Sequence, residues 1–195
     1  MTRTSFVTIV WLFLGMPLAA QQAAPPAESV PQAAVRAALT QLLAPQRISV
    51  PENLPMSRTQ PAQMLHFQMD QAGAAKPSPR LALRARTRGA GSLPRLRSLD
   101  LAPDKLLVVA VSADGILRGW TVIQDPRFLR AEWPGPDGAM TGRLVPVPRA
   151  EFHVAIPDDP AVAEMRIFQP RWNGRSFDLE SVGTLALAGQ KGGLQ

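Results

Sequence analysis

Residues 105–123 read K-L-L-V-V-A-V-S-A-D-G-I-L-R-G-W-T-V-I, two apolar runs on either side of Asp114-Gly115. Runs rich in Val, Ile and Leu that flank Asp-Gly form a β-hairpin, because the dipeptide supplies the backbone that a tight turn needs. Two registers are open. A two-residue type I′ loop at Asp114 and Gly115 sets Val109 opposite Trp120, whereas a three-residue loop over 113–115 with Gly115 left-handed sets Val108 there. Either register pairs Trp120 with a valine, a favoured cross-strand contact, and makes the tryptophan a core anchor. Gly119 beside it allows close approach of whatever packs above.

The rest of the chain repeats this style. Over 62–69, Leu65, Phe67 and Met69 alternate with His66 and Gln68, the pattern of a half-buried strand. Residues 80–88 follow, with Leu81, Leu83 and Ala85 expected on one face and Arg84, Arg86 and Arg88 on the other as a guanidinium row. Arg95 and Arg97 lie in the basic connection 89–100. Further strands are predicted at 128–133, 140–147, 151–156 and 163–168, with Pro146 and Pro148 ending the second of these or confining it to an edge. A last hairpin turns at Asn173-Gly174, between 166–172 and 175–180, read as another type I′ signal, and 182–187 adds a final strand. About nine short strands at intervals of roughly 8 to 12 residues, with no helix between them, predict an all-β antiparallel sandwich over 61–187. An immunoglobulin- or fibronectin-like arrangement is the expectation by analogy of architecture.

The N-terminal part differs in kind. Residues 1–20 carry Arg3, an apolar run at 6–14 and the small residues Ala19 and Ala20, which together predict a cleaved signal peptide. The apolar run is far short of the roughly 20 residues that span a bilayer, so the mature chain is not expected to cross a membrane. Its expected location is periplasmic or secreted. Residues 21–60 are rich in Pro, Ala and Gln and read as a flexible linker. Within it, 31–44 places Val35, Leu39, Leu42 and Leu43 at helical spacing, with Ser29 as a cap and Pro45 as a stop. So short a helix is marginal alone, and the reading favours a loosely formed linker helix over one that docks its leucine stripe. Residues 188–195 read as a disordered tail.

The chain has no cysteine, so its core must stabilise itself without disulfides, and thiol catalysis and thiolate metal sites are excluded. Its 18 Arg against three Lys are the usage of a GC-rich bacterial genome. Charge divides the chain: 21–99 holds ten basic and three acidic residues, net +7, while 100–187 holds nine basic and twelve acidic, net −3.

Motifs for chemistry are sparse. His66 and His153 are the only histidines, and no close-spaced ligand set surrounds them. Asp158 and Asp159 sit between two prolines and read as a turn, with too few oxygens for calcium. No G-x-S-x-G is present, and Asp125, Glu132, Glu151 and Asp178 would serve hydrolysis only if two of them converged. Arg130 and Glu132 share a strand face and read as an ion pair. No cofactor, metal or catalytic residue is therefore predicted. The expected function is an exported, non-catalytic interaction or assembly module of the bacterial cell envelope, binding a protein or an acidic polymer. Candidate partner-binding residues are Arg84, Arg86, Arg88, Arg95, Arg97, Trp172 and Arg175, the last two across a turn where an aromatic and a guanidinium can stack. Nucleic acid is not expected, since the arginine strand has no interleaved aromatics. The alternative class is a hydrolase of envelope polymers working through paired carboxylates.

Overall fold

The computed structural model describes residues 32–52, 54, 61–70, 79–93 and 99–187. The predicted signal segment, the arm before residue 32 and over 55–60, the Ser29 cap, Arg95, Arg97 and the C-terminal tail lie outside the described residues. The elements are α1 (Gln32–Leu43), β1 (Pro61–Asp70), β2 (Arg80–Ser92), β3 (Lys105–Ser112), β4 (Leu117–Gln124), β5 (Phe128–Pro134), β6 (Met140–Pro146), β7 (Arg149–Pro157), β8 (Val162–Trp172) and β9 (Phe177–Ala186). They form antiparallel sheets in the orders β2-β1-β7, β4-β3-β8-β9 and β5-β6. The run at 182–187 is no separate strand but the end of β9, which a register shift opposite Ile167 and Phe168 carries along β8.

Strand β3 sits at the centre because it is apolar at almost every position, so neither face can be left to water. Leu106, Val108 and Ala110 join Leu65, Phe67, Met69, Phe152, Val154, Ile156 and Ile167 in one core, which draws on both larger sheets. Leu107, Val109 and Val111 point the other way and meet Leu117, Trp120, Phe168 and the helix residues Val35, Leu39 and Leu43 in a second core. Helix α1 thus docks its stripe on the outer face of the four-stranded sheet, with Leu39 and Leu43 fully buried. That is the option the sequence reading did not favour. A twelve-residue helix is stabilised by the apolar face it buries rather than by its own hydrogen bonds. After α1, a 3₁₀ turn through Pro45 leads to Arg47 in the left-handed region, φ 57°, and Ser49 bridges to the central hairpin through Ser49 N–H to Gly115 O and Leu117 N–H to Ser49 O, both 2.9 Å.

The central hairpin combines the two predicted registers. Gly115 N–H donates to Ser112 O and Ser112 N–H to Ile116 O, so the loop has three residues, with Gly115 left-handed at φ 79°. A bulge between Leu117 and Gly119 then adds one residue to β4 and brings Trp120 opposite Val109. Gly119 takes close approach from β7: a Cβ there would lie 2.6 Å from Pro157 Cδ.

Candidate interaction surface

The guanidinium row does not form. Met69 pairs with Leu81 and Phe67 with Leu83, but the register slips before His66, which faces Ala85, and Leu65 then faces Arg86. Directly opposed residues share a sheet face, so this bulge at Arg84 reverses the alternation of β2. Arg86 and Arg88 lie on the same side as Leu81 and Leu83, beyond the apolar core, while Arg84 leans across the outer face. Each has an internal acceptor. Arg84 Nε donates to Gln68 Oε1 at 2.8 Å, Arg86 donates to Gln63 Oε1, and Arg88 Nε is 3.2 Å from Asp158 Oδ2.

The outer face of the β2-β1-β7 sheet carries a polar lattice. Gln68 and Arg149 both donate to Asp70 Oδ1, at 3.0 and 2.8 Å. The Arg149 guanidinium first, and the Gln68 amide second, hold the Asp70 carboxyl below the usual carboxylate range, and Asp70 in turn raises Arg149. His66 and His153 are directly opposed and stacked, with centroids 4.4 Å apart, and His66 Nε2 lies 3.2 Å from Glu151 Oε2. Phe67 and Phe152 stack on the inner face, centroids 5.3 Å apart. The mirrored dipeptides His66-Phe67 and Phe152-His153 were the available signal, because antiparallel pairing sets like residue against like. Stacked rings run their in-plane nitrogen lone pairs side by side, and among the described residues no group of three or more potential ligands gathers around a metal position.

The turn after β8 is centred on Gly174-Arg175, not Asn173-Gly174. Asn173 N–H donates to Ser176 O at 3.0 Å, and Gly174 alone of the central pair has positive φ, 96°, where a type I′ turn needs positive φ at both. Asn173 Oδ1 caps the turn by accepting from Arg175 N–H and Ser176 N–H. Trp172 therefore faces Phe177, edge-on with centroids 5.2 Å apart, and its expected stacking with Arg175 is replaced by this contact. Phe177 also lines an open groove of about 660 Å³ between α1 and β9, with Leu42, Pro45, Leu99, Leu101 and Leu179.

The feature that sequence reasoning missed is the β5–β6 hairpin. Both strands are legible, but the structure sets them apart as a two-stranded sheet of their own. Leu129, Trp133, Met140 and Leu144 are exposed on it, four of the six large hydrophobic residues exposed in the described chain. Leu129 and Trp133 lie on one face with Val145 and Arg143, whose guanidinium sits 5.6 Å from the Trp133 ring centroid; Leu144 and Met140 lie on the other with the pair Arg130–Glu132, 3.0 Å. The base is rigid. Asp125, 1% exposed, takes both Arg127 Nε and Nη2, the latter at 2.6 Å, and Arg127 also donates to Gln169, whose amide donates to Pro103 O. The bidentate guanidinium–carboxylate pair away from water, with its link to Gln169 on β8, ties the start of β5 to the four-stranded sheet.

Of the carboxylates considered for hydrolysis, Asp125 is held by Arg127, Glu132 by Arg130, Glu151 by His66, and Asp178 accepts from Asn173. No family model, curated protein or solved structure matches the chain. No helix among the described residues is long and apolar enough to cross a membrane.

Proposed function

We propose that the protein is an exported, non-catalytic β-sandwich that works as an interaction or assembly module of the bacterial cell envelope, periplasmic or secreted. The core shared by the two larger sheets supports the sandwich. The order β4-β3-β8-β9 matches the C′-C-F-G sheet of the immunoglobulin type, while β1 rather than β2 is central in the other sheet, so the likeness extends to one half. One observation carries the functional reading: apolar side chains that a self-contained fold buries are held out on the β5–β6 hairpin. Exposed apolar patches on soluble domains mark contact surfaces.

The internal acceptors of Arg84, Arg86 and Arg88 weaken the case for an acidic polymer and shift the contact to the hairpin. The experiment is co-purification from envelope extract with wild type and a Leu129→Ser/Leu144→Ser variant. The account expects the variant to fold normally and lose the retained partner; equal retention by both contradicts it. Intact mass of the exported protein should place its first residue near Gln21, and retention of residues 1–20 contradicts cleavage.

A further inference from the structure

We propose that the free edge of β5 pairs antiparallel with β5 of a second copy of this chain, about a two-fold axis at Ala131, making one sheet β6-β5-β5-β6. The proposal names a partner for the hairpin and rests on reading that hairpin as an interaction element.

The backbone is set for it. Val147 N–H donates to Arg127 O at 2.9 Å and Gly135 N–H to Ala139 O at 2.7 Å, at the two ends of the β5–β6 ladder. Antiparallel strands alternate, so between these ends Leu129, Ala131 and Trp133 turn their N–H and C=O groups toward β6. Arg130 and Glu132 turn theirs outward, to the unpaired edge.

The side chains are complementary under the same operation. β5 reads F-L-R-A-E-W-P. Antiparallel pairing centred on Ala131 places Arg130 opposite Glu132 of the second copy and Leu129 opposite its Trp133, each twice by symmetry. Opposite charges and an aliphatic–aromatic pair are the favoured cross-strand neighbours, and the smallest side chain of the strand falls on the axis, where the two copies crowd. Leu129 and Trp133, 60% and 41% exposed, would cover each other.

Other edges offer less. β6 carries Arg143 and no acid, and the β2 edge carries Arg80, Arg84, Arg86 and Arg88 with no acid on the strand. The β7 edge also reads Arg-Ala-Glu over 149–151, but Arg149 is bonded to Asp70 and Glu151 to His66, and no exposed leucine–tryptophan pair flanks them. A two-stranded ribbon with apolar residues on both faces is marginal by itself, and extension to four strands relieves that.

The test is sedimentation of the whole purified protein at micromolar concentrations. Wild type should sediment as a dimer. R130E and E132R each set like charges opposite one another and should weaken association by about tenfold or more. An equimolar mixture of the two variants, or the double variant R130E/E132R, should restore it, which also shows that the single variants are folded. A monomeric wild type overturns the proposal, as does a dimer that neither single swap weakens. A monomeric wild type whose envelope partner is still lost in Leu129→Ser/Leu144→Ser removes the dimer alone, whereas a charge-dependent dimer with envelope retention unchanged in that variant removes the broader reading alone.

Discussion

The hairpins β3–β4 and β5–β6 turn in the same way and end in opposite surroundings. In each, a glycine with φ 79° donates to the carbonyl three residues before it, Gly115 to Ser112 and Gly138 to Gly135, and the next bond closes a three-residue loop. Yet β3 is buried along nearly its whole length, and β5 and β6 are largely exposed. The turn makes the hairpin; the strand pattern decides what covers it. β3 has no polar alternation and takes a sheet on one face and a helix on the other, while β5 interleaves Arg130 and Glu132 with Leu129, Ala131 and Trp133 and takes neither.

Tryptophans give the sharpest way to break this comparison. Trp120→Ala opens a void in the helix-side core and should cost about 3 to 5 kcal/mol in a urea titration, whereas Trp133→Ala on the second hairpin, measured as a monomer, should stay within about 0.5 kcal/mol. Similar losses at both would erase the distinction. Leu39→Ala should cost about 2 to 5 kcal/mol in the same titration, because α1 is the second cover of β3. A neutral result there would leave β3 with only one true core face.

Glycines make a milder pair. An added methyl at Gly119 meets Pro157 at 2.6 and 2.9 Å, so Gly119→Ala should cost about 1 to 3 kcal/mol. Gly142 on β6 has its nearest neighbour, Glu132 Cγ, at 3.5 Å, and Gly142→Ala should be close to neutral by thermal unfolding.

Smallest is a pH effect at the first turn. The Ser112 hydroxyl, donating to Asp114 Oδ1 at 2.6 Å, holds that carboxyl below the usual carboxylate range. A lowered folded-state pKa contributes stability that is present above the unfolded value, about 3.9, and is lost as pH falls through the folded value. Unfolding midpoints measured down into acid should therefore show a slight extra loss in wild type that Ser112→Ala lacks. An identical acid limb in both would remove Ser112 as the cause.

Local features were legible in the sequence and long-range ones were not. The Asp114-Gly115 turn, the alternation of Leu65, Phe67 and Met69 and the pairing of Trp120 with a valine depend on neighbours in the chain. The fate of Arg84, Arg86 and Arg88 depends on one extra residue in β2 relative to β1, which reverses every side chain beyond it and leaves no mark in composition. The docking of α1 was half legible: its stripe of Val35, Leu39 and Leu43 is plain, and β3, apolar at consecutive positions, required a second cover. Isolation of the β5–β6 hairpin had a weaker signal, apolar residues on both of its faces with proline at each strand end.

The central claim is that the fold is complete without β5–β6, which serves association instead. Its most direct test is the unfolding free energy of a chain in which residues 129–145 are replaced by Asn-Gly, closing Phe128 on Pro146 above the intact Asp125–Arg127 pair. The account predicts a value within about 1 kcal/mol of the full chain measured as a monomer, since no core residue is removed. A loss of several kcal/mol, a large share of a domain's typical margin, would make the hairpin part of the fold and contradict it.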